Sequence, residues 1–363
     1  MSWDFADRFK SMRESQTAPS KTKMVPSPKR GEAIFENDEG APKSWDEYVG
    51  QDTPKQMLKA ALKSAEVRDT IPDHVLLASG IPGIGKSALA RLFAFHMDCP
   101  YIETQGAVSK EEATAILQKL SQEANRQKTR GACWFIDEVH QLVSSKKEDA
   151  EWLLSLLQDG IILDSEGEQQ FKNITVIAAT TDKGTLPDAI VSRFTWMPVF
   201  AQYTPEQGAG IVQSKAKSIF EGTKLEELSQ NTAEAIAKAS CYNPRHMKTI
   251  VRNVRDAELS ELAARDENGD LDLTIPLTWA GRDENGLSAL ARKIYITLYT
   301  RGYVGGRCLG RNNIASIIGE SVWPADAEKE LLQLGLIQVS SAGRCLTEDG
   351  VEFAPLIGVE DLL

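Results

Sequence analysis

The chain has 363 residues, 42% of them hydrophobic, and a formal net charge of −11. That length and apolar content support two or three packed domains and exclude a disordered protein. The acidic balance excludes a surface coated in positive charge, so contact with nucleic acid must come from a local basic patch.

In chain order, Phe5, Phe9 and Met12 form a short apolar stripe at i, i+4 and i+7. The N-terminus is too charged for a signal peptide and no apolar run approaches a membrane span, which points to the cytosol. Residues 13–43 are rich in Ser, Thr, Lys, Pro and Glu, so residues 1–43 read as a mostly disordered tail. From 44 to 200, apolar runs at 75–78, 101–103, 132–136 and 175–179 alternate with helical stretches. This predicts a parallel sheet covered by helices. Between 201 and 272 the strands vanish, and Thr204-Pro205-Glu206 opens a helix with an N-cap threonine and a first-turn proline. Helices are predicted near 205–219, 232–239 and 244–265, a small all-α domain bounded by the acidic stretch Asp266 to Asp270.

The last segment, 273–363, reads as helices over 287–300, 312–318 and 324–334, then a two-stranded ribbon turning at Ser341-Ala342-Gly343. Three helices followed by a ribbon predict a winged helix. Cys99, Cys133, Cys241, Cys308 and Cys345 stand singly, with no C-x-x-C pair. They are expected to be reduced and mostly buried.

Two motifs carry chemistry. Gly80-Ile81-Pro82-Gly83-Ile84-Gly85-Lys86-Ser87 fits G-x-x-x-x-G-K-[ST] and follows an apolar strand. Glycines at 80, 83 and 85 let backbone N–H groups wrap a polyphosphate at a helix N-terminus. Lys86 is expected to reach the β- and γ-phosphates of ATP, and Ser87 to offer a hydroxyl to Mg²⁺. The apolar run starting at Ala88 carries the helix behind the loop. Cys133-Trp134-Phe135-Ile136-Asp137-Glu138 ends a second buried strand. There Asp137 would hold Mg²⁺ through water and Glu138 would polarise the attacking water. Thr180 and Thr181 end the next strand and bring a hydroxyl near the γ-phosphate, or cap a helix. Arg193 lies where the nucleotide domain ends, and Arg245 heads a helix of the α-domain.

These residues resemble the AAA+ superfamily and, within it, the RuvB branch-migration family. The likeness rests on the stretch from Pro42 to Gln51, Asp73 to Leu77, the phosphate loop, Phe135 to His140, Ala179-Thr180-Thr181, Ser192-Arg193-Phe194, Asn243-Pro244-Arg245 and Val251 to Asp256. It implies an AAA+ P-loop core with a helical lid and a C-terminal winged helix. By this resemblance Tyr48 and Val49 line the adenine pocket, Thr180 is sensor 1, Arg193 is a finger acting on a neighbouring subunit and Arg245 is sensor 2. It further implies hexameric rings moving on double-stranded DNA at Holliday junctions, as an ATP-dependent helicase of recombination and repair. The segment 160–172 is shorter than the family's hairpin, where the partner RuvA docks, and its turn is acidic, so a RuvA-like or other accessory protein stays open. Val191 stands where the family has a second arginine; such departures suggest a distant member, of the kind a phage or other mobile element carries.

For DNA, the third winged-helix segment carries Asp326, Glu328 and Glu330 against Lys329 and is expected to repel phosphate. Arg301, Arg307, Arg311 and Arg344 are expected to make sequence-independent backbone contacts. Two other functions fit the same parts: a clamp-loader or helicase-loader ATPase, and a replication initiator that binds one DNA site.

Overall fold

The computed structural model describes residues 25–358 apart from 37, 146, 165 and 166, so the Phe5, Phe9 and Met12 stripe lies outside it. Strands β1 (Val75–Ala78), β2 (Tyr101–Gln105), β3 (Ala132–Asp137) and, after a hairpin, β6 (Ile174–Thr180) form one parallel sheet in the order β1-β6-β3-β2. Leu76, Trp134, Val176 and Ala178 face one layer, whereas Val75, Leu77, Phe135 and Ile177 face the other. Both faces are therefore buried, which is why these strands read as unbroken apolar runs. Helices α1 (Asp52–Val67) and α2 (Lys86–Met97) cover the second face; α3 (Lys110–Gln127), α4 (His140–Ser145) and α5 (Lys147–Asp159) cover the first. Trp196 pairs in parallel with Val75 beyond β1, and Lys29 pairs with Tyr101 on the β2 edge. The short hairpin β4 (Ile161–Asp164) and β5 (Gly167–Gln170) follows α5 directly.

After the four-residue α6 (Asp188–Val191), helices α7 (Pro205–Ile219), α8 (Gln230–Ala239) and α9 (Pro244–Leu259) build the lid. Thr204 and Gln207 cap α7 reciprocally, and Pro205 sits in its first turn. The sequence places the end of this unit at 272. Leu277, beyond that point, nevertheless packs with Leu271 into the core formed by Val212, Ile236 and Val251. Packing thus draws the short α10 (Thr274–Trp279) to the lid; six residues are too few to show a helical period in sequence.

The last unit has α11 (Ala289–Thr297), a π-helical turn (Leu298–Tyr303), α12 (Arg311–Ile318), α13 (Ala325–Gln333) and the antiparallel ribbon β7 (Ile337–Ser340) and β8 (Gly343–Leu346). Leu309 pairs antiparallel with Arg344, adding an isolated bridge to β8 beside the ribbon. Two expectations are corrected here. Cys308 and Cys345 are joined in a disulfide with Cα atoms 4.7 Å apart, because the Leu309–Arg344 pairing sets them side by side. The acids of α13 do not form a repelling face: Glu328 is buried and the Glu330 side chain is 11% exposed, paired with Arg282. Among the described residues, no helix is long and apolar enough to cross a membrane.

Candidate functional site

The phosphate loop lies at the C-terminal end of β1 and opens α2. Two of its glycines are required by geometry. Gly83 has φ +77°, and a Cβ there would meet Asn243 Oδ1 at 2.5 Å; Gly85 has φ +107°, and a Cβ would meet the Tyr48 hydroxyl oxygen at 2.6 Å. A Cβ on Gly80 would meet nothing within 4 Å, so that space is open. Lys86 Nζ donates to the carbonyls of Ser79 and Ile81, at 3.2 and 3.3 Å. Burial pushes its ammonium below the ordinary lysine value, against the pull of Glu138 and Asp137, and the charge of Arg245 acts with burial.

The register of the sheet brings the acidic pair opposite this loop. Ser87 Oγ donates to Asp137 Oδ2 at 3.2 Å. Burial first, and then the Glu138 carboxylate, raise the Asp137 carboxyl above its ordinary value. A hydroxyl and a half-buried carboxylate are oxygen donors of the kind Mg²⁺ takes. Among the described residues no three His, Cys, Asp or Glu side chains cluster as a metal cage.

Glu138 has φ +52° and is held by Thr181, whose Oγ1 and N–H donate to Glu138 Oε2 at 3.0 and 3.3 Å. Thr180 is fully buried, and its hydroxyl accepts from the Asp182 N–H at 2.9 Å. Of the two threonines, Thr181 is the one that donates to the Glu138 carboxylate. His140, to which the sequence assigned no role, stands 3.0 Å from Thr180 Oγ1 and 3.2 Å from Glu138 Oε2, tying the two together.

Tyr48, Val49, Gly85 and Ala88 line one cleft beside the loop, with Tyr203 and Lys215 from the lid side. Tyr203 and Lys215 were not read from the sequence, since neither lies in a motif. Burial lowers the Lys215 ammonium to about 8. The lid reaches the loop directly: Asn243 Nδ2 donates to the Pro82 carbonyl at 2.8 Å and Asn243 Oδ1 accepts from the Arg245 N–H at 3.0 Å. Arg193 stands apart, half-buried, its Nε and Nη2 donating to Gln158 Oε1 at 3.2 and 2.8 Å, with no ion pair among the described residues.

The four winged-helix arginines divide. Arg301 and Arg307 are exposed. Arg344 is not the free wing cation expected from its place after a glycine turn. Its side chain is 12% exposed and paired with Glu328, which also accepts from Arg311 at 2.9 Å and from Trp323 Nε1 at 2.8 Å. Glu328 lies sixteen residues before Arg344, beyond the reach of local pattern reading.

With this geometry in view, residues 41–199 match the family described as the Holliday junction DNA helicase RuvB P-loop domain. The RuvB branch migration complex subunit of Thermotoga maritima is 33% identical over 322 residues, covering 85% of this chain and 89% of the relative. The chain belongs to the RuvB family. The RuvB of Acholeplasma laidlawii is 32% identical, covering 85% of this chain and 88% of the relative. The solved structure of the Thermotoga maritima RuvB Holliday junction branch migration motor superposes with a TM-score of 0.65 at 29% identity, covering 87% of this chain and 98% of that one. The nucleotide site of this RuvB-family chain is therefore that of a P-loop ATPase.

Proposed function

We propose that this chain is an ATP-driven DNA motor, a homohexameric ring that hydrolyses ATP to drive branch migration of Holliday junctions in recombination and repair. The observation that carries this reading is the order of parts on one chain: phosphate loop, acidic strand end, lid clasped to the loop through Asn243 and Pro82, then winged helix. The RuvB motor matches that order over 87% of the chain.

In the proposed cycle the N-terminus of α2 and Lys86 bind the ATP phosphates, and the cleft beside Tyr48, Val49 and Ala88 takes the adenine. Mg²⁺, held by Ser87 and through water by Asp137, would neutralise phosphate charge when bound. Glu138 takes the proton of the attacking water while Thr181 fixes its carboxylate. Arg245 approaches the γ-phosphate from the lid of the same chain, and Arg193 from a neighbouring subunit. Because Arg245 and Asn243 sit on one helix start, nucleotide state would set the lid angle. The β4–β5 hairpin would receive a RuvA-like or other accessory protein.

The test is an ATP-dependent branch-migration assay on a synthetic four-way junction, with and without a RuvA protein. Movement supports the motor. A requirement for a second ring with no movement would identify a loader, and preference for one duplex sequence an initiator.

A further inference from the structure

The stretch 285–319 contains Arg292, Lys293, Arg301, Arg307 and Arg311 and no Asp or Glu, in a chain of net charge −11. Arg292 is paired with Asp283 and Arg311 with Glu328. Arg301 and Arg307 make no ion pair or side-chain hydrogen bond among the described residues, and both are exposed. Between them, Tyr303 and Val304 are 52% and 55% exposed. Two large apolar side chains held in water between two unneutralised cations are not explained by folding, since they contribute little burial.

The loop that carries them is built rather than slack. It starts from the π-helical turn, where the Val304 N–H donates to the Tyr299 carbonyl at 3.0 Å and the Tyr299 and Tyr303 rings lie 5.6 Å apart. π-Turns concentrate at functional sites. The Arg307 N–H closes the loop on the Gly302 carbonyl at 2.9 Å, and a Cβ on Gly305 would meet the Arg301 carbonyl oxygen at 2.7 Å. Its far end is fixed by the two Leu309–Arg344 backbone bonds and the Cys308–Cys345 disulfide.

We propose that loop 301–307, rather than the ribbon turn at 341–343, is the DNA contact of this domain. Arg301 and Arg307 hold backbone phosphates, and Tyr303 with Val304 forms an apolar wedge against the sugars and base edges of the minor groove. Phosphate contact and apolar wedge together are how non-sequence-specific duplex binders grip a groove. The absence of any acid over 285–319 favours a polyanion over a protein surface. This inference rests on the DNA-motor reading and deepens it.

The experiment measures binding of the full chain to a fluorescent duplex across a salt series, with thermal unfolding as the control for folding. Arg301→Ala with Arg307→Ala should reduce the slope of log K against log salt by roughly 1.8, two phosphate contacts' worth. Tyr303→Ser should weaken binding about 5- to 20-fold with the slope unchanged, whereas the Lys replacements at 301 and 307 should keep the slope. Folded loop variants that bind like the parent would overturn the inference while leaving the motor reading intact. A parent chain that binds no duplex at all would overturn both.

Discussion

The guanidinium of Arg344 is turned back onto the carboxylate of Glu328, over the face of Trp323, with its central carbon 5.7 Å from the ring centroid. Arg311 completes the cluster at 5.9 Å from the same ring. The pair joins α13 to β8, so the ribbon is fastened to the third helix by an ion pair in which Glu328 is 4% exposed. Removing Arg344 leaves the buried Glu328 carboxylate with Arg311 and Trp323 alone, and losing its charge-assisted hydrogen bond costs about 1.5–3 kcal/mol. Arg344→Ala should therefore lower the melting temperature of the winged helix. Arg344→Met combined with Glu328→Leu should recover most of the loss; if the single variant melted like the parent, the cluster would not be holding the ribbon.

Glu328 also makes this unit acid-sensitive. Burial alone would raise its carboxyl, but hydrogen bonds from Arg344 and Trp323 and the nearby cations hold it below the ordinary value of 4.5. A carboxyl depressed in the folded state contributes stability above its unfolded value, and that contribution is lost as pH falls through the folded value. We expect a winged-helix transition that moves to lower temperature below about pH 4.5. Glu328→Gln should be less stable at pH 7 and show a flatter acid limb, measured by calorimetry across that range.

The disulfide gives a third expectation. Cys308 and Cys345 are 37 residues apart, and closing a loop of that length restricts the unfolded chain by about 2–4 kcal/mol. Reduction, or Cys345→Ser, should lower the unfolding temperature of the winged helix and leave that of the nucleotide domain in place. Equal melting of oxidised and reduced protein would show that the bridge does not constrain this unit.

The same winged helix shows where sequence reading stops. The phosphate loop was legible because Gly83, Gly85, Lys86 and Ser87 act within eight residues of one strand and one helix. The α7 start was legible because Thr204, Pro205 and Gln207 cap it locally. By contrast, Cys308 and Cys345 meet across two intervening helices and a strand, and Arg344 faces inward because of Glu328 on another element. His140 ends the Phe135–His140 stretch, yet its contact with Thr180 crosses from one strand end to the next. Long-range pairing, not residue type, is what the pattern lacked.

At the nucleotide site, Lys86→Ala should abolish ATP binding, because the loop holds no other positive charge to meet the β- and γ-phosphates. Glu138→Gln should bind ATP and stall, losing roughly 10²-fold or more in turnover. Thr181 and its bonds to Oε2 would remain to seat the amide. Equilibrium binding with a fluorescent ATP analogue and a phosphate-release assay separate the two effects. Turnover by the glutamine variant at the parent rate would remove Glu138 from its assigned role.

Arg193 and Gln158 carry the prediction about neighbours. Gln158 lies at the end of α5, two residues before Gly160 leads into the β4–β5 hairpin, and it fixes the guanidinium through two N–H bonds to one oxygen. Arg193→Ala should keep ATP binding near the parent value and lower turnover by the ~10³-fold or more that a removed arginine finger can cost. Gln158→Ala should cost less, on the order of tenfold, and in turnover rather than in binding, because the cation remains but is no longer aimed. Mixing subunits decides whether the finger acts across the interface. A Lys86→Ala chain cannot hydrolyse ATP but still offers Arg193, so adding it to Arg193→Ala chains should restore part of the activity in mixed rings. No rescue at any ratio would mean that Arg193 serves its own chain or only the fold.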